Sequence, residues 1–248
     1  AYEIMPSLVG SEMCIRDSIR ILQTMNEDIY RAIKERIVFL DYKPGQPLTL
    51  SSLAKEFGVS VTPIREALIR LEAEGLVHSS RNRSAYVSEI SLTEIRDAFE
   101  VRLMLIGEVG RLAAQRITEA ELRALLSLLD EMRNAKERKQ IIRIDSQLHD
   151  AVNRATKNST LVKVLGNLRS QVSRLWFFVS QDESYSLNMI QDFACLCEAL
   201  QRRDEEKCQE ILRKHVISFV EEVKGFLYNA KPKKIGGGDS LTITTIRL

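Results

Sequence analysis

The stretch PGQPLTLSSLAKEFGVSVTPIREALIRLEAEGLV (44–77) decides the fold. Within it, SSLAKEFG (51–58) predicts a short helix, with Leu53, Ala54 and Phe57 facing inward and Gly58 as its stop. VSVTPIREALIRLEAEG (59–75) follows at once. Ser60 or Thr62 supplies the N-cap, Pro63 stands in the first turn, and Gly75 ends the helix. Ile64, Ala67, Leu68 and Leu71 then give an i, i+3, i+4, i+7 core stripe. Upstream, Leu22, Met25, Ile29, Ile33 and Ile37 mark one face of a helix over about 19–40, and DYKPGQPL (41–48) reads as a turn or loop. Downstream, LVHSS (76–80) and AYVSEI (85–90) read as two short strands around the polar tip RNRS (81–84).

A short helix, a tight turn, a second helix and a hairpin make a winged helix-turn-helix, which puts its second helix into the major groove of DNA. The outward face of that helix carries Ser60, Val61, Thr62, Arg65, Glu66, Ile69 and Arg70. Hydroxyls at a helix N-terminus hold phosphate and arginines neutralise it. Ser60, Thr62, Arg65 and Arg70 are therefore the candidate DNA contacts on the helix, with Arg81 and Arg83 on the wing tip. Charge argues less strongly. Residues 19–90 hold ten Lys+Arg against nine Asp+Glu, so Arg65 beside Glu66, or Arg70 beside Glu74, also fits a solvated helix face.

The 248 residues allow one large domain or two small ones. With 44% apolar and 28% charged residues and a net charge of +2, the chain is not a disordered polyelectrolyte. No run approaches the length of a membrane span. Four cysteines without a CxxC spacing suit a reducing cytosol. From Ile64 to Lys231 no proline occurs, and between Arg111 and Lys224 the only glycine is Gly166. Such a stretch predicts helix after helix. Ser91-x-x-Glu94 and Thr118-x-x-Glu121 open the first two as capping boxes, and four more fit 140–155, 160–180, 186–202 and 205–228. The fold class is thus mainly α: a winged helix-turn-helix at 19–90 and an all-helical bundle at 91–230.

Both ends are set aside. MPSLVGSEMCIRDS, within residues 1–18, resembles translated sequencing-adapter sequence, so that segment is expected to be non-native and the true start lost or near Ile19. Residues 231–248, basic and broken by glycine, are expected to be a mostly disordered tail.

The helical half also carries a candidate metal site. Asp145 and His149 are i, i+4 and leave one helix face together, while His215 falls inside the apolar stripe of the last helix. A carboxylate and two imidazoles can bind Zn, Ni, Mn or Fe and leave positions for a carboxylate ligand. A buried histidine satisfied by one hydrogen bond is the competing reading.

Residues 44–77, including GVS-x-TP-x-REAL-x-RLEAEGLV, closely resemble the GntR family of bacterial transcription regulators. Over 91–228 the chain resembles the all-helical FCD ligand-binding domain of the FadR-type subgroup. The resemblance implies a dimeric, effector-responsive regulator, usually a repressor, whose grip on operator DNA changes when a small organic acid binds. It also implies that Asp145, His149 and His215 are metal ligands and that Arg102 pairs an effector carboxylate. Arg174 is a second pocket candidate.

The chain departs from the family pattern at three places. Val61 stands where the family has a guanine-reading Arg, Ser84 where the wing has Gly, and Phe193 where a third His would ligate metal. Three outcomes stay open for the pocket: a metal held by Asp145, His149, His215 and water; Cys197 replacing the lost ligand; or effector recognition without metal.

The partners expected are double-stranded operator DNA, a small carboxylate and a second copy of the chain, with no membrane and a cytoplasmic, nucleoid-associated location. Two other function classes stand beside this one. One is a helical adaptor with a vestigial DNA-binding domain. The other is a metal-dependent enzyme using Asp145, His149 and His215, and no nucleophile motif, phosphate loop or nucleotide fingerprint supports it.

Overall fold

The structure, a computed structural model, describes residues 24–79, 85–179 and 183–229. The set-aside termini 1–18 and 231–248, and the wing tip with Arg81 and Arg83, lie outside them. The chain divides into two compact units between Glu89 and Ile90.

The first unit holds helix α1 (24–38), strand β1 (Pro47–Leu48), helices α2 (Leu50–Phe57) and α3 (Val61–Ala73), and strands β2 (Val77–Ser79) and β3 (Ala85–Val87). Punctuation sets the helix limits. Thr49 caps α2 by accepting from the Ser52 N–H, and Gly58 closes it at φ +66°. Gly75, at φ +75°, turns the chain after α3. The core joins all of these elements: Ile33 and Ile37 from α1, Leu53 from α2, Ile64 and Leu71 from α3, and Val87 from β3.

One element differs from the sequence expectation. Within the 41–48 segment read as turn or loop, Pro47 and Leu48 form β1, which pairs antiparallel with β3 in the register Pro47↔Tyr86 and Leu48↔Ala85. The sheet order is β1-β3-β2, so β3 is central and hydrogen-bonded on both sides. Two residues are too few to show a period-2 pattern, and proline argues against any but an edge strand.

The second unit is helical among its described residues: α4 (Leu92–Arg116), α5 (Glu119–Asn134), α6 (Arg138–Ala155), α7 (Ser159–Val179), α8 (Glu183–Gln201) and α9 (Glu205–Asn229). At α5 the capping box is complete, whereas at α4 Ser91 accepts from the Glu94 N–H at 3.2 Å. Helix α4 runs along α9 and touches α6, α7 and α8. Its approach to α9 depends on Gly110, where an added Cβ would stand 2.5 Å from the Cys208 carbonyl oxygen.

Candidate functional site

On the first unit, the sequence-predicted face of α3 is exposed: Ser60, Val61, Thr62, Arg65, Glu66, Ile69 and Arg70 all reach solvent. Ser60 occupies the N-cap with extended backbone, yet its side chain makes no capping hydrogen bond. Arg65 makes no hydrogen bond or ion pair among the described residues. Arg70 is differently placed. Its guanidinium donates to Glu27 at 2.8 Å and lies 3.7 Å above the centre of the Tyr30 ring. Glu74, the helix neighbour that the sequence offered to Arg70, instead takes Lys34 at 2.6 Å and the Tyr30 hydroxyl. Burial, and then the Glu74 carboxylate, push that phenol up. Arg70 thus fastens α1 to α3, and Arg65 is the cation of the helix that faces outward alone.

The second unit hides an unusual amount of polarity. Arg102 from α4, Asp145, His149 and Asn153 from α6, Ser170 and Arg174 from α7, and His215 from α9 are all buried. Asp145, His149 and His215 come together, each offering one ligand atom, all within 4.8 Å of one another. Helical spacing brings the first two to one face of α6, and α9 adds the third.

Their electrostatics suit a cation. Burial pushes the Asp145 carboxyl up, against the positive fields of His215, Arg169 and Arg102. Burial, followed by the charges of Arg102, His215 and Arg169, holds His149 well below its ordinary value. His149 is therefore the neutral imidazole that metals require. Asp145 Oδ1 stands 3.5 Å from His149 Nε2 and has no hydrogen-bond partner among the described residues. A buried carboxylate oxygen without a partner costs on the order of 1–3 kcal/mol, more when charged. A divalent cation would satisfy it, so the three residues fit such an ion.

Two neighbours complete the picture. Asp192, which the sequence did not single out, meets His215 Nδ1 at 3.1 Å and so leaves His215 Nε2 for the cluster. This is the carboxylate–histidine support common around metals. Phe193, the next residue, is buried with its ring centre 5.2 Å from that of His149 and 5.3 Å from that of His215. Cys197 is not in the cluster; its thiol is buried, which pushes it up to about 11.

Known proteins match both units. Residues 25–87 match the bacterial regulatory proteins of the gntR family, and residues 97–218 match the FCD domain. The chain is a GntR-family regulator with an FCD domain. The HTH-type transcriptional repressor RspR of Escherichia coli is 28% identical over 215 residues, covering 86% of this chain and 94% of the relative. The Nta operon transcriptional regulator of Aminobacter aminovorans is 24% identical over 184 residues, covering 73% and 86%. Among solved structures, Escherichia coli McbR/YncC superposes with a TM-score of 0.72 at 22% identity, covering 82% of this chain and 98% of that one. These matches bear out the mainly helical, winged architecture and the transcription-regulator reading over an enzyme. The GntR domain implies operator DNA and the FCD domain a small-molecule effector; such domains can bind metal. No helix among the described residues is long and apolar enough to cross a membrane.

Proposed function

We propose that this GntR-family regulator acts in the cytoplasm as a homodimeric repressor. Residues 19–90 grip an operator half-site, and 91–230 dimerise and sense a small carboxylate. On the DNA side, Ser60, Thr62 and Arg65 meet the duplex, with Arg81 and Arg83 on the wing. Arg70 contributes mainly by fixing α3 against α1. In the helical domain, Asp145, His149 and His215 hold a divalent ion of the Zn, Ni, Mn or Fe kind, and Arg102 and Arg174 pair the carboxylate of the effector. When bound, the ion would supply a Lewis-acidic point of attachment for that carboxylate.

The observation that carries this reading is the buried polar cluster, with the unpartnered Asp145 Oδ1 at its centre, inside an otherwise apolar bundle. An effector switches DNA binding only by the difference in its affinity for the two arrangements of the protein. The test selects genomic DNA fragments with the full chain and titrates the bound fragment with a panel of small mono- and dicarboxylates. One of these is expected to change DNA affinity by about 5–150-fold, the usual range of such coupling. His149→Ala and Arg102→Ala should still bind the fragment but lose the response. If both variants responded as the wild type does, the pocket assignment would fall; if no fragment were selected, the DNA assignment would.

A further inference from the structure

The rings of His149, His215 and Phe193 form a near-equilateral triangle, with centre-to-centre separations of 5.2, 5.2 and 5.3 Å. Two corners are imidazoles that can bind a metal; the third is carbon. Phe193 is 2% exposed, so the corner is filled and water does not replace the missing donor there. Helix α8 thus gives the cluster one supporting group, the Asp192 carboxylate on His215, and one inert wall.

Three protein donors are one fewer than a closed tetrahedral site needs. Arg102 and Arg169 bring positive charge to the cluster, and the Asp150 and Asp192 carboxylates bring negative charge beside it. Arg169 is itself tied to Asp150 at 2.8 Å. A metal entering alone meets three protein ligands and a wall of carbon at the third corner. A metal entering with a carboxylate gains the fourth ligand that the phenyl ring withholds.

We propose that Phe193 makes metal binding in this pocket conditional on a carboxylate ligand, so that ion and effector bind as a pair. The inference rests on the proposed three-residue metal site. Linkage requires the dependence to be mutual: the carboxylate raises metal affinity by the factor with which the metal raises carboxylate affinity. Position 193 is then the specificity switch. A histidine there would occupy less volume than phenylalanine and place a nitrogen donor at the third corner.

The test titrates the full chain with Co2+, followed by its visible absorption, with and without sodium acetate as the carboxylate probe. Signal absent from His149→Ala is the signal of this site. In the wild type, acetate should tighten Co2+ binding by about fivefold or more. Losing an outer-sphere partner costs metal sites about 10–100-fold, so the direct ligand gained in Phe193→His should tighten Co2+ binding more than about tenfold without acetate. The acetate effect should shrink in that variant, and Phe193→Leu should keep it. Wild-type Co2+ binding that is lost in His149→Ala but indifferent to acetate would overturn the pairing and leave the metal site standing. Wild-type binding that survives His149→Ala would overturn the metal site and the pairing with it. The wild-type comparison needs no variant at position 193 to fold.

Discussion

Gly110→Ala tests the tight seam between α4 and α9, and Gly107→Ala is its control. At Gly110 an added Cβ would lie 2.5 Å from the Cys208 carbonyl oxygen, 2.6 Å from its carbon and 2.8 Å from the Gln209 nitrogen. Ordinary contact begins near 3.4 Å, so α9 must retreat by about 0.9 Å, and backbone cannot swing aside as a side chain can. Overpacking of this kind costs about 1–3 kcal/mol, and the rigid neighbour puts it in the upper half of that range. The gain in helix propensity returns about 1 kcal/mol. The net is a loss of about 1–2 kcal/mol. At Gly107 the three atoms nearest an added Cβ are Nε, Cζ and Nη2 of Arg213, an exposed, flexible side chain. Arg213 can turn away, so Gly107→Ala should be neutral or stabilising by up to about 1 kcal/mol.

The two variants should therefore differ by about 1–3 kcal/mol, or roughly 3–10 °C in the melting of the helical unit. Thermal unfolding followed by circular dichroism reads this directly. The retreat of α9 should also carry His215, seven residues beyond Cys208 on the same helix, away from Asp145 and His149. Gly110→Ala should thus lose Co2+ affinity as well as stability. Equal melting temperatures, or Gly110→Ala the more stable of the two, would refute the packing argument.

Arg65→Ala should weaken DNA binding alike on all sequences and lower the salt slope by about one, whereas the main effect of Arg70→Ala should be on stability. Removing the Glu27 pair and the Tyr30 contact should cost the first unit about 0.5–1 kcal/mol in urea unfolding. Cys197 and Cys208 are buried, which pushes their thiols up to about 11 and about 12, so at pH 8 the reactive thiolate is suppressed. For Cys197, two units above the ordinary value of 9.0 means roughly a hundredfold less thiolate. Peptide mapping after iodoacetamide treatment of native protein should find Cys195 alkylated well before either; early labelling of Cys197 would contradict its burial.

Much of the fold was legible because it is written in local signals. Gly58, Pro63 and Gly75 bracket the helix-turn-helix, and the proline-free run after Ile64 announces the helical bundle. The i, i+4 spacing placed Asp145 and His149 together, and the apolar stripe around His215 told its burial. What escaped depends on partners distant in sequence. Arg70 pairs with Glu27, 43 residues away, and not with Glu74, because α1 packs across α3. β1 is created by pairing with β3 and has no pattern of its own. Asp192 acquires its role from a histidine 23 residues later. Its one sequence signal was its place beside Phe193, where the family resemblance already pointed. The buried Asn153 and Ser170 carry no signal, since polar residues on a helix read as solvent-facing until the neighbours are known.

The proline in β1 has a consequence for how the molecule behaves in a crowded cell. An open strand edge is a template on which a strand from another chain can form, and so begin a fibre or precipitate. β1 is an outer strand of its sheet, and at Pro47, opposite Tyr86, it has no N–H to offer a newcomer. The two-residue strand that braces the wing also blunts the edge it creates. Self-association is thereby steered from backbone pairing to side-chain contacts, which can be specific where an open edge is not.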